Sequence, residues 1–385
     1  MRQIMEGSHA VAQTIKLIKP KVVSAYPITP QTHIVEALAD YKAKGDVDYE
    51  YVLAESEFAA ASIVEGACLR GVRTYTATSS QGLLLMAEVL FNIAGMRLPM
   101  VMTVANRALS GPINIWNDQQ DAVTVRDSGW LMLYAEDNQE AADMHVEAYK
   151  LAESLNLPVM VNMDGYVLTH TFEPVEIPDS KLIKKFLPEY KPKQGTYLDV
   201  KNPRTFGAFA TPETYMNIRE DLFNQVAEAK SAIKKTHQDF KKIFKRGNGD
   251  GVVDTYQIKD AEIVLVSFGS VLGTIKDVVD EQRKKGVKVG VLKVRCFRPF
   301  PALEIVNNLK KAKYIGVVEK CLSIGNEGIL ANEIKAAAYD AKLKGKISSF
   351  IVGLGGRDVT KNNILEIISA AKKGNKKINF VYGAQ

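Results

Sequence analysis

Short apolar runs alternate with amphipathic stretches through the first 165 residues. "KVVSAY" (Lys21 to Tyr26) reads as a buried strand, and "HIVEALADYKA" (His33 to Ala43) sets Ile34, Leu38 and Tyr41 on one helical face. "YEYVLAE" (Tyr49 to Glu55) predicts a strand, and "SEFAAASIVEGACLRG" predicts a helix closed by Gly71. "RTYTAT", "GLLLMAEVLFNIAG" and "PMVMTVANR" repeat the order strand, helix, strand. "WLMLYA" (Trp130 to Ala135) and "PVMVNMD" (Pro158 to Asp164) predict two more strands around the helix "NQEAADMHVEAYKLAESLN". This alternation predicts a parallel sheet covered by helices on both faces.

From Gly165 to about Thr211 the pattern breaks. Pro174, Pro178, Pro188, Pro192 and Pro203 interrupt it, and the segment reads as a long irregular excursion over the surface. Pro212 to Arg246 then predicts one long helix, with Pro212 in the favoured first turn. Near Asp260 the alternation resumes. "AEIVLVSFGS", "VKVGVLKV", "YIGVVE" and "SSFIVGLGG" predict strands, with helices over "VLGTIKDVVDEQRKKG" and near 302–311, 326–344 and 361–372. The fold class is α/β, with two doubly wound domains. The first spans 1–240, with the excursion 165–211 and the long helix 212–246, and the second spans 258–385.

Composition narrows the class. The 385 residues are 46% hydrophobic and 24% charged, which is ordinary for a soluble globular protein. The net charge of +6 gathers in two lysine-rich runs, Lys230 to Arg246 and Ala370 to Lys377. They read as solvated helix faces rather than as a nucleic-acid surface. An acidic protein partner stays open. Nucleic acid and membrane are not expected partners. Cys68, Cys296 and Cys321 form no CxxC pair, so neither a disulfide framework nor a zinc knuckle is supported. Three thiols are also too few for a four-cysteine cluster site. No signal peptide and no apolar run of about 20 residues is visible, so the expected location is cytoplasmic.

In doubly wound sheets, ligands bind beyond the carboxyl ends of the strands. That rule puts Thr29, Glu55 to Glu57, Thr78 to Gly82 and Arg107 on one rim. Thr29 lies inside "PITP", where Pro27 and Pro30 restrict the backbone on both sides. The turn reads equally as a plain rigid connection or as a device that holds one hydroxyl in place. Gln31 and Thr32 read as a capped helix start. Ser56 can cap the next helix, leaving Glu57 in its first turn. There Glu57 serves either the helix dipole or a flat ring laid against the apolar residues Phe58 to Ala61. Arg107 directly follows a strand and suits a carboxylate clamp; its alternative is a salt bridge to Asp118 or Asp121. "GLGGRD" (Gly353 to Asp358) lacks the full spacing of a dinucleotide fingerprint.

Taken together, "YPITPQT", "ESEFAAASIVEGA", "TATSSQGLLLMAEVLFNIAGMRLPMV", "NRALSGPINIWNDQQD" and "LTHTFEPVEIP" resemble the alpha subunit of the multi-subunit 2-oxoacid:ferredoxin oxidoreductases, most of all the pyruvate-acting members (pyruvate synthases). "VLKVRCFRPFP" and "GNEG" resemble the second domain of that subunit, which is similar to the transketolase C-terminal domain. The resemblance covers nearly the whole chain. It implies thiamine diphosphate-dependent oxidative decarboxylation of pyruvate, reversible, with electrons passing to ferredoxin and the acetyl group to coenzyme A. It implies that Glu57 bonds the aminopyrimidine ring of the cofactor, that Thr29 and Arg107 hold the substrate, and that Ser80, Gln81 and Gly82 line the cofactor cleft.

The triplet Gly249-Asp250-Gly251 begins like the diphosphate and magnesium motif of such enzymes. A lysine-rich helix precedes it and the next asparagine is Asn307, so it reads as a linker turn. The resemblance therefore assigns no metal to this chain. It places magnesium and the 4Fe-4S clusters on beta, gamma and delta-type subunits of the same complex, with the thiamine diphosphate shared at an interface. Two readings stay beside it: the same chemistry on 2-oxoisovalerate or another 2-oxoacid, and a 2-oxoacid dehydrogenase beta-type chain that uses lipoamide.

Overall fold

The computed structural model describes residues 2–374 and 378–382, so residues 375–377 of the second lysine run lie outside it. Among the described residues, a seven-stranded sheet runs in the order Cys296–Arg298, Leu131–Tyr134, Val159–Asp164, Val101–Asn106, Thr74–Thr78, Val22–Ala25, Glu50–Leu53. All neighbours are parallel except the first pair. Val101–Asn106 and Val159–Asp164 are buried along their full length, which is why they read as predominantly apolar runs. A six-stranded sheet follows in the order Asn379–Phe380, Lys346–Ile351, Tyr314–Glu319, Ile263–Ser267, Val289–Val294, Val253–Tyr256. Only Val253–Tyr256 pairs antiparallel there.

Several elements depart from the sequence reading. The N-terminal residues Gln3–Glu6 form a strand antiparallel to Phe172–Val175, so the excursion after Gly165 carries regular structure, including the helix Ser180–Phe186. "GLLLMAEVLFNIAG" is two helices, Ser80–Leu85 and Ala87–Gly95, rather than one. The long helix stops at Phe244, where Lys245 turns into the left-handed region. Asp250 closes the turn that follows, its Oδ1 accepting from the backbone of Val252 and Val253.

The two sheets are joined more intimately than a linker would achieve. Cys296–Arg298 belongs by sequence to the second half yet pairs with Leu131–Tyr134 of the first sheet. Beside it, Glu140 accepts from Lys293 Nζ (2.6 Å) and Arg295 Nε (3.0 Å), and Arg295 also reaches Glu147, which faces His237 of the long helix. Burial alone would push the Glu140 carboxyl up, but Lys293 and Arg295 outweigh it and bring it down to about 2. At the other end Lys320 donates to Asn117 (2.8 Å) and Asp164 (3.3 Å), and Asp164 accepts from the backbone and hydroxyl of Ser270.

Candidate active site

The rim beyond the parallel strands gathers most of the residues singled out above. Arg107 is only 6% exposed. Its Nη1 donates to the backbone oxygen of Thr29 (2.9 Å) and its Nε to that of Asn114 (2.9 Å). The salt bridges to Asp118 and Asp121 do not form. Asp121 instead accepts the backbone N–H groups of Ser80 (2.9 Å) and Arg107 (3.0 Å) on one oxygen. The other oxygen takes Asn106 Nδ2 and the backbone of Ala122. One carboxylate thus pins the ends of two adjacent strands. Burial pushes its acid up to about 7 in spite of these donors. Burial also lowers the Arg107 guanidinium from its usual value. With Nε and Nη1 engaged by carbonyls, Nη2 has no partner among the described residues.

The Thr29 hydroxyl likewise has no partner among the described residues, and its side chain is half-buried. Its turn is fixed from behind. Gln31 is fully buried, and its amide donates to the Ala77 carbonyl (2.6 Å) while accepting from Ile28 N (3.3 Å). Gln31 therefore does not cap the helix Thr32–Ala43; it ties the turn to the neighbouring strand end. Gly165 presses on Pro30, since a Cβ there would sit 2.6 Å from the proline ring.

Glu57 opens the helix Glu57–Leu69, whose cap is the Ser56 hydroxyl accepting from Ala59 N (3.1 Å). The carboxylate is 7% exposed, and no donor reaches it among the described residues. Gly82 backs onto it: a Cβ at Gly82 would stand 2.6 Å from both Glu57 Oε1 and Thr78 Oγ1. The Thr78 hydroxyl is itself buried without a hydrogen bond. Ser80 is placed differently from its expected role. It is fully buried at a left-handed φ of 48°, and its hydroxyl donates inward to Ala108 O (2.5 Å). Gln81 is half-buried, and Glu55 stands out in solvent.

The loop after Arg107 rests on the second half of the chain. Gly355 N donates to Asp118 and Asn114 Nδ2 donates to Gly355 O, while a Cβ on Gly356 would meet Trp116 at 2.2 Å. The glycines of "GLGGRD" thus serve close packing, at φ of 61° and 82° for Gly355 and Gly356. Tyr166, at φ 58°, stacks tilted on Trp116 (5.4 Å) and was not singled out by any sequence pattern. Asp121 and Gln31 had a signal only as charged or polar residues near the motifs.

Fold and rim define a doubly wound α/β protein whose strand ends present a buried carboxylate, and a guanidinium nitrogen and a hydroxyl without partners among the described residues. A family model described as pyruvate flavodoxin/ferredoxin oxidoreductase, thiamine diphosphate-binding, matches residues 13–238, and one described as pyruvate:ferredoxin oxidoreductase core domain II matches 261–364. The chain belongs to the pyruvate flavodoxin/ferredoxin oxidoreductase family. Pyruvate synthase subunit PorA of Methanosarcina barkeri is 50% identical over 96% of this chain and 92% of that protein. PorA of Methanocaldococcus jannaschii is 47% identical over 96% and 95% respectively. Ketoisovalerate oxidoreductase subunit VorA of Pyrococcus horikoshii is 42% identical over 97% and 94%. A solved 2-oxoglutarate:ferredoxin oxidoreductase from Magnetococcus marinus, with 2-oxoglutarate, coenzyme A and succinyl-CoA bound, shares the fold at TM-score 0.74 and 21% identity. The match covers 97% of this chain, which spans 65% of the length of that solved chain.

Proposed function

We propose that this chain is the pyrimidine-side subunit of a pyruvate synthase, which converts pyruvate and coenzyme A to acetyl-CoA and carbon dioxide and passes electrons to ferredoxin. The observation that carries this reading is Glu57, a buried carboxylate without a donor among the described residues, packed directly against a glycine. An unpaired buried carboxylate is costly unless something supplies a donor. The ring N–H that an aminopyrimidine carries in its imino tautomer fits that need. Residues 1–240 would form the pyrimidine-type domain and 258–385 the transketolase C-terminal-like domain, in line with family models that end at 238 and resume at 261.

Thiamine diphosphate, when bound, supplies the electron sink that decarboxylation of a 2-oxoacid needs. Glu57 would accept the ring N–H at its carboxylate and so favour the imino tautomer, whose exocyclic nitrogen acts as base. Arg107 would take the substrate carboxylate on its open Nη2, while its other donors keep the guanidinium plane fixed against Thr29 and Asn114. Because that carboxylate leaves as neutral carbon dioxide, Arg107 orients more than it stabilises. The Thr29 hydroxyl would donate to the keto oxygen. Gly82 would line the cofactor cleft and Gln81 its mouth, with Ser80 holding the loop from inside.

The diphosphate, its magnesium ion and the 4Fe-4S clusters would sit on other subunits. The Asp250 turn is closed by its own backbone, and Cys68, Cys296 and Cys321 are buried apart. The relatives are themselves named as subunits. Leu53 at the end of the strand Glu50–Leu53, and Phe58, Leu85, Ile113 and Trp116 on segments that follow the first sheet's strands, are exposed apolar side chains, which suits a partner chain covering the rim. Identity of 50% to PorA against 42% to VorA favours pyruvate over 2-oxoisovalerate. No helix among the described residues is long and apolar enough to cross a membrane, and we place the complex in the cytoplasm.

The test is the native complex, assayed for coenzyme A-dependent viologen reduction with pyruvate, 2-oxoisovalerate and 2-oxoglutarate. Pyruvate is expected to give the highest kcat/KM. Glu57→Gln is expected to lower turnover by about 10²–10⁴-fold with the complex still assembled. Unchanged turnover would overturn the assignment of Glu57, and lipoamide-dependent acyl transfer in place of viologen reduction would overturn the reaction.

A further inference from the structure

Away from the rim arginine, three segments distant in sequence bring two imidazoles and a carboxylate together. Glu6 ends the strand Gln3–Glu6, His33 lies in the first turn of the helix Thr32–Ala43, and His170 lies just before the strand Phe172–Val175. One ligand atom from each lies within 4.8 Å of the others. We propose that Glu6, His33 and His170 form a binding site for a divalent transition-metal ion of the zinc type.

The charge balance asks for a cation here. Glu6 is 6% exposed, yet neither lysine nor arginine pairs with it among the described residues. Its Oε1 lies 2.6 Å from His33 Nδ1 and its Oε2 3.6 Å from His9 Nδ1. A buried carboxylate that meets only imidazoles is neutralised either by a proton on a ring or by a metal ion.

The surroundings favour the ion. The His33 and His170 rings stand 4.5 Å apart, so two protonated rings would repel. His170 Nδ1 bonds the Thr169 hydroxyl oxygen (2.8 Å), which also accepts Tyr166 N–H (2.7 Å). A ligating histidine characteristically has its other nitrogen anchored in this way, and Nε2 is left for the ion. Bonds of about 2.0–2.1 Å at tetrahedral angles put ligand atoms about 3.4 Å apart, so modest ring rotations close the set. Two imidazole nitrogens and one carboxylate oxygen suit zinc, iron, cobalt or nickel rather than magnesium or calcium. Three protein ligands leave a position for water on the half-exposed histidine side.

The site would act as a fastener. It would lock the N-terminal strand to the helix that begins directly after Gln31, and to the loop that carries Tyr166 against Trp116.

The experiment titrates the chelator-treated full-length chain with cobalt(II) chloride, read by visible absorption, followed by competition with zinc and with magnesium. One cobalt per chain is expected, displaced by zinc and not by magnesium. Zinc is also expected to raise the melting temperature of the unmodified chain. His33→Ala and His170→Ala are each expected to weaken binding by more than about 100-fold, since losing even a group that only orients a ligand costs ten- to a hundredfold. Far-UV circular dichroism checks that both variants fold, and His170→Gln replaces any that does not. Absence of stoichiometric cobalt binding to the unmodified chain would overturn the proposal, whatever the variants do. So would binding that survives both substitutions.

Discussion

Gly82 and Glu57 are pressed together so closely that the glycine has no room for a methyl group: its Cβ would lie 2.6 Å from the carboxylate oxygen. Gly82→Ala must therefore move Glu57 or the start of its own helix. Crowding of this kind costs about 1–3 kcal/mol of stability. The larger effect falls on the carboxylate's aim. Turnover of the assembled complex should fall about 100-fold, as expected for a displacement near 1 Å. Steady-state kinetics across thiamine diphosphate concentrations, beside a melting curve, separate the two effects.

Arg107 holds two backbone carbonyls with two of its nitrogens, and the third has no partner among the described residues. Lysine keeps the charge but cannot form that fork. Arg107→Lys is expected to lower kcat/KM for pyruvate about 100-fold, the loss of one charge-assisted hydrogen bond of about 2.7 kcal/mol. Viologen-reduction kinetics on the assembled complex measure it.

Gly356 sits at φ 82° with its missing Cβ 2.2 Å from Trp116. Gly356→Ala should push the Asn114–Trp116 loop away and loosen the Asn114 carbonyl from Arg107. The expected signature is a raised KM for pyruvate of about tenfold, with folding retained. A KM that stays put while the melting temperature drops would mean that the loop serves packing only.

Glu140 gives an acid-stability prediction with a definite sign. Its folded pKa lies near 2, below the ordinary 4.5, because Lys293 and Arg295 outweigh burial. A depressed carboxyl contributes stability above the ordinary value and loses it as pH falls through the folded value. Urea midpoints should therefore drop between about pH 4.5 and pH 2. Glu140→Gln should abolish this component and cost about 3 kcal/mol near neutrality, since two buried cations lose a partner.

Much of this was legible beforehand, and the reasons are local. Val101–Asn106 and Val159–Asp164 are apolar because both faces are covered, and the long helices repeat at helical spacing. The strand-end rule then brings Thr29, Glu57 and Arg107 to one rim. What escaped depends on partners far along the chain. Gln3–Glu6 and Cys296–Arg298 are too short for any period to emerge, and each exists because a distant edge strand accepts it. Gln31 looked like a helix start because nothing nearby indicates that its amide crosses to Ala77. Asp121 escaped for the same reason: it binds main-chain N–H groups, which no side-chain pattern records.

The strand Cys296–Arg298, seated on the edge of a sheet built by the other half, limits how this protein can be taken apart. Cutting the chain in the linker near residue 250 would strip Leu131–Tyr134 of its outer neighbour and expose one edge of a buried strand as a sticky template. Grafting either half onto a relative must carry a matching edge with it. Modular recombination at the visible boundary is thereby closed off, and the two halves have to be inherited, expressed and redesigned as one unit.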